Sequence, residues 1–162
     1  MALVPRILQT WRAPGAAVRG MAGLSEAGLL ALLLGTMAVY FVAQWPAHAR
    51  AAALDPSVPL DARLGGALLA TLFMMPLIVM AVAAVAQLVA RAFGLRLDGR
   101  ASRLALVWAL AAVAPVMLLQ GLVAGLIGPG PQMTAVNLLA GAAFVVFWIA
   151  GLRALGDRGR PA

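Results

Sequence analysis

The sequence predicts an all-α integral membrane protein: a four-helix transmembrane bundle preceded by an N-terminal amphipathic interfacial helix. Three observations lead there. The 162 residues are 64% hydrophobic and 10% charged, with a mean hydropathy of +1.00, whereas a soluble domain is nearer half apolar and a quarter charged. The uncharged stretches are long enough to cross a bilayer. The charge gathers at the ends of those stretches rather than along one face.

A spanning helix needs about 20 mainly apolar residues. Residues 27–49 are uncharged between Glu26 and Arg50, and residues 64–90 between Arg63 and Arg91. Residues 104–152, between Arg103 and Arg153, are too long for one crossing, and GPGP at 128–131 divides them. Proline lacks the amide donor, and its ring clashes with the preceding turn. The expected spans are about 27–45, 64–90, 104–127 and 133–152, within a membrane domain of residues 24–155 that follows a leading segment, 1–23, and precedes a tail, 156–162. These continuous runs do not resemble the short alternating segments of a membrane barrel.

All twelve basic residues are arginine, and the formal net charge is +7. Ten of them fall before the first span (Arg6, Arg12, Arg19), between the second and third (Arg91, Arg96, Arg100, Arg103) or in the tail (Arg153, Arg158, Arg160). Arg50 and Arg63 fall on the other side. Positive loops stay cytoplasmic, so both termini and the loop of residues 91–103 are expected there. Four arginines in that loop read first as an anchor in an anionic leaflet, worth roughly 1 kcal/mol each, with Gly94 and Gly99 breaking the helix around them. Binding of a lipid headgroup or a partner is the second use of the same charges. Nucleic acid is not expected, because the arginines line no single face.

In the leading segment, Val4, Ile7, Leu8 and Trp11 follow the spacing of one helical face. Pro14-Gly15 then interrupts. This predicts a short helix in the cytoplasmic interface with Trp11 at headgroup depth, either as an anchor or as a partner-binding helix. Trp11, Arg12, Arg91, Arg96, Arg100 and Arg103 are the candidate lipid- or partner-facing residues. The first loop, residues 45–63, holds Pro46, Pro56 and Pro59 and is expected to be irregular, with Asp61 as N-cap of the second span. Ala47-His48-Ala49 has the spacing of a signal-peptidase site, but the apolar run before it is longer than the usual h-region.

Little in the chain carries chemistry. There is one histidine, His48, expected in a solvated loop; there are no cysteines and five acids. Ser25, Ser57 and Ser102 have no neighbouring base in sequence, and no phosphate-binding or metal-binding motif occurs. No catalytic residue, cofactor or metal is expected. Transporters usually carry an ionisable group at depth, and apart from Glu26 near one end the spans hold only neutral polar residues. Gln120 and Asn137, on neighbouring spans, are expected to hydrogen-bond between helices. Pro76 and Pro115 lie inside helices two and three, and each frees a carbonyl one turn earlier and bends its helix. The bends are either filled by packing or leave a cavity for a small neutral solute. Gly121 and Gly125 form a small-xxx-small face for close helix approach.

GRASRLALVWALAAVAP, residues 99–115, resembles the bacterial branch of the Yip1 domain family, in which a loop glycine, basic residue and serine precede an apolar helix with an aromatic residue and a proline. TWRAPGAAVRGMAGL, residues 10–24, is similar to that family's amphipathic leading segment, and Trp148 in VVFWIAGL fits its last helix. The resemblance implies a multi-pass bacterial inner-membrane protein. The interfacial amphipathicity, the packing glycines and the missing catalytic groups add the expectation of a non-enzymatic scaffold, organiser or adaptor that acts through lipids, a membrane protein partner or a second copy. The alternative is a small-solute transporter or an accessory subunit of a larger membrane complex. The small-GTPase partner of the eukaryotic members is not carried over, because no residue here matches a contact for it.

Overall fold

The structure, a computed structural model, describes residues 3–92, 94 and 97–156. Every regular element among them is helical. Two short helices, α1 (Leu3–Thr10) and α2 (Pro14–Arg19), precede four long ones: α3 (Glu26–Leu54), α4 (Leu60–Ala92), α5 (Gly99–Leu126) and α6 (Pro131–Gly156). Each of the four is long and apolar enough to cross a membrane.

Their ends follow local chemistry. The Ser25 Oγ accepts the Gly28 amide at 3.1 Å and caps α3. Gly94, at φ +76°, turns the chain after α4, a backbone state that suits glycine alone. Gly128, at φ +93°, ends α5, and its amide reaches the Val123 carbonyl at 2.9 Å. Pro131 opens α6, where its missing N–H costs nothing.

Three expectations need correction. The first loop is not 45–63: α3 runs through Pro46 to Leu54, leaving only residues 55–59 between helices. Proline removes one bond, and the alanine-rich AHARAAAL that follows favours helix enough to carry on. His48 is therefore a helical residue. Asp61 is not an N-cap: Pro59 holds that position, and Asp61 lies in the first turn of α4, where a carboxylate still complements the helix dipole. Finally, Gly99 does not break a helix: α5 begins there. Gly94 makes the break, while Gly99, Arg100 and Arg103 belong to the first turns of a helix.

The short 55–59 loop is held by Arg63. Its Nε donates to the Val58 carbonyl at 2.9 Å, and its Nη2 reaches both the Asp55 carbonyl and the Asp55 carboxylate, the latter at 3.3 Å. Hydrogen bonds from Ser57, with the Arg63 charge in support, hold the Asp55 carboxyl below its ordinary value of 3.8.

α5 is the hub. Its largest interfaces are with α3 and α6, and it also packs on α4. In its most apolar stretch 56% of residues are buried, against 22–28% in the other three long helices. Trp108 lies at the centre of the larger core cluster with Val18, Met21, Leu33, Met37 and Ala83. A second cluster joins Ala112 and Val113 to Phe147 of α6. The remaining faces of α3, α4 and α6 are exposed leucine, valine, isoleucine and phenylalanine, the surface expected of helices that meet hydrocarbon rather than water.

Candidate functional site

The arginine-rich end is built from the starts of α3 and α5 and the close of α4. Arg103 Nη2 lies 3.0 Å from a Glu26 carboxylate oxygen, and Arg100 Nε lies 3.7 Å from the same oxygen. Arg100 Nη2 also donates to the Leu24 carbonyl. Glu26 thus ties the start of α3 to the first turns of α5. The side chains are 39–60% exposed, so each ion pair is worth at most about 1 kcal/mol. Arg103 Nε is buried without a hydrogen-bond partner. Arg91 folds back on its own helix: Gln87, in the amide orientation its neighbours demand, accepts from Arg91 at 2.7 Å and from the Gly99 amide at 3.1 Å. Gln87 therefore also seals the first amide of α5. Arg12 is exposed in the turn after α1. Arg96, Arg158 and Arg160 lie outside the described residues. The structure brings Arg100 and Arg103 together, and spacing alone gave no hint that Glu26 would be their shared partner.

Trp11 is not at that end. Its indole N–H donates to the Ala112 carbonyl at 3.3 Å, and its ring meets Phe147 edge-on at 5.1 Å. Ala112 is the fourteenth residue of α5, about 20 Å along its axis. The neighbouring Thr10 is fully buried, and its Oγ1 accepts the Trp108 indole N–H at 3.1 Å. α1 and α2 therefore lie along the flank of the bundle, α1 against α5 and α2 mainly against α6. The expected apolar face is split. Ile7 packs on the core cluster, while Val4 and Leu8 point outward. Hydrogen-bond partners for Thr10 and Trp11 on α5 explain why this segment seats on the bundle side.

The prolines are handled by neighbours. Pro115 leaves the Ala111 carbonyl without its helical donor. The carbonyls on either side each take a side-chain donor: Tyr40 Oη donates to Leu110 at 2.8 Å, and Trp11 to Ala112. Beside them is a pocket of about 250 Å³ between α1, α3 and α5, lined by Ile7, Thr36, Trp108, Ala111 and Ala114 among others. Pro76 follows a π-helical turn, Ala70–Met74, in which the Met75 amide bonds the Ala70 carbonyl. Gln44 Nε2 donates to Thr71 Oγ1 at 3.1 Å within this turn.

Gly121 and Gly125 face α3. A Cβ on Gly121 would lie 1.7 Å from the Ala43 carbonyl oxygen, and one on Gly125 would lie 2.3 Å from Pro46 Cβ. Their role here is a packing seam within one chain. At the same end Arg50 reaches the last turn of α5, 3.5 Å from the Gly125 carbonyl, where a cation complements the helix dipole. Gln120 donates to Asn137 at 3.2 Å.

Ser102 is fully buried and donates to the Ala83 carbonyl at 2.7 Å, joining α5 to α4. No group of three or more metal-ligating side chains converges among the described residues. No family model, curated protein or solved structure matches this chain.

Proposed function

We propose that this chain is a multi-pass protein of a bacterial inner membrane, of Yip1 type, with both termini cytoplasmic. On this reading it has no catalytic activity. It acts as a scaffold or adaptor through anionic lipids and a membrane protein partner or second copy. The observation that carries the reading is the division of the surface. Arg91, Arg100 and Arg103 share one end of four apolar helices, α3, α4 and α6 present apolar outer faces, and Tyr40, Gln44 and Ser102 use their polar groups to join helices. Arginine at that end meets the anionic leaflet, and the apolar faces meet acyl chains.

The absence of cysteine allows a direct test. Ser57→Cys should react with a membrane-impermeant maleimide in intact cells, and Ser25→Cys, at the exposed start of α3, only after lysis. The reverse pattern overturns the orientation. Affinity purification from native membranes should return a stoichiometric protein partner or enriched anionic lipid. A robust turnover by the purified protein, lost in His48→Ala, would falsify the non-enzymatic part.

A second reading has its own observation. The pocket beside Pro115 fits a small-solute path along α5. Tracer flux into proteoliposomes, abolished in a folded Pro115→Ala variant, would replace the scaffold by a transporter.

A further inference from the structure

We infer that the cleft between the starting half of α3 and the closing half of α4 is a binding site for one anionic phospholipid, whose phosphate sits on Arg100 and Arg103. The inference rests on the membrane reading above and gives the arginine-rich end a specific ligand. α3 and α4 pack together mainly through residues 60–74 and diverge along Met75–Ala92, where fewer residues meet. The separation opens a groove of about 330 Å³ lined by Ala27, Leu29, Leu30 and Met80, with Glu26 and Arg103 at its mouth. The walls are apolar and the mouth is charged, which is the division of a lipid into chain and headgroup.

The charge at the mouth is out of balance. One carboxylate oxygen of Glu26 serves two guanidinium groups, at 3.0 and 3.7 Å. Arg103 Nε is buried with no acceptor. Arginine presents its donors as a planar fork suited to phosphate oxygens. A phosphate at this place satisfies both guanidiniums at once, and its acyl chain follows Leu29, Leu30 and Met80 into the bilayer. Glu26 then acts as the occupant of the arginines when no lipid is bound and competes with the phosphate for them.

The test is lipid retention by the purified full-length chain in mild detergent, read by native mass spectrometry against added phosphatidylglycerol, phosphatidylcholine or glycerol phosphate. Phosphatidylglycerol should bind preferentially with a stoichiometry of one. Arg100→Gln and Arg103→Gln should each weaken it about fivefold, and Leu30→Trp should weaken it by filling the groove. Arg12→Gln should leave it unchanged. Glu26→Gln should tighten it, an effect opposite to that expected from loss of a purely structural ion pair. Equal binding of phosphatidylcholine, equal loss in Arg12→Gln, or weaker binding in Glu26→Gln overturns the site. Equal binding of glycerol phosphate overturns the place of the acyl chain. Inverted labelling of Ser57→Cys overturns the orientation without touching this detergent readout, so the two failures are distinguishable.

Discussion

Pro115 in α5 and Pro76 in α4 present the same defect to two helices, and the helices answer it differently. The turns of α5 that precede Pro115 are enclosed by α1, α3, α4 and α6, although the proline ring itself is exposed, so donors from elsewhere reach the carbonyls one turn earlier. Tyr40 and Trp11 take the carbonyls on either side of the one Pro115 orphans, and the helix stays α through the defect. α4 is on the outside, with Phe73, Leu77 and Ile78 exposed around Pro76. Fewer side chains reach it, and the backbone itself widens into a π turn. Only Gln44, from α3, adds a hydrogen bond there. An inner helix is repaired by its neighbours and an outer helix by its own geometry.

That contrast can be broken most forcefully at the core. Trp108→Ala removes a side chain that is 1% exposed, and should cost about 3–5 kcal/mol in denaturant titrations in detergent. Phe73→Ala on α4, 62% exposed, should stay within about 0.5 kcal/mol. Equal losses would mean that α4 is as enclosed as α5.

Next comes the seam. Gly121→Ala drives a methyl into the Ala43 carbonyl and should cost about 1–3 kcal/mol by the same titration. Gly65→Ala in α4 meets nothing within 4 Å and should be neutral or slightly stabilising through helix propensity.

A finer cut concerns the proline repair. Tyr40→Phe deletes one donor and keeps the ring, and should cost about 1 kcal/mol; Trp11→Phe deletes the other donor and also shrinks the ring that meets Phe147, and should cost at least as much. In a Pro115→Ala background the bend relaxes and the carbonyls turn back to the helix. The Tyr40→Phe cost should then shrink by at least about 0.5 kcal/mol in the double-mutant cycle. An unchanged cost would show that Tyr40 packs against α5 without repairing it.

The smallest effect is at the far loop. The Asp55 carboxyl is held below 3.8 in the folded chain. Its contribution is therefore complete above the unfolded value and is lost as pH falls through the lower folded value. Order in residues 55–59, followed by proteolysis, should be the same from pH 5 to 8 and weaken only below about pH 4. Asp55→Asn should remove that acid dependence.

Hydropathy made the four long apolar runs and the GPGP break legible, because each is a local property of the chain. The Gly121/Gly125 seam was visible as a motif, but not its partner: nothing in GLVAG names Ala43 and Pro46. What the sequence could not disclose was which face meets which. Thr10 and Trp108 are 98 residues apart, and no periodicity links them. Glu26 reads as a charge at the start of a span, and its two partners, Arg100 and Arg103, reach it only once α3 and α5 stand side by side. Pro46 misled for a related reason, since one proline looks like a stop until the helix-forming residues beyond it are weighed.

The hub of the bundle is also the third long helix in chain order. α3 and α4 leave the ribosome before the surface on which they both pack. Thr10 and Trp11 wait 98 and 101 residues, well over half of the chain, for Trp108 and Ala112. Until Gly99–Val116 emerges, the growing chain holds two helices joined chiefly at one end and a leading segment without its seat. A chaperone or insertion factor that shields nascent helices would therefore act on this protein in the interval before α5, and its release would coincide with the arrival of that helix.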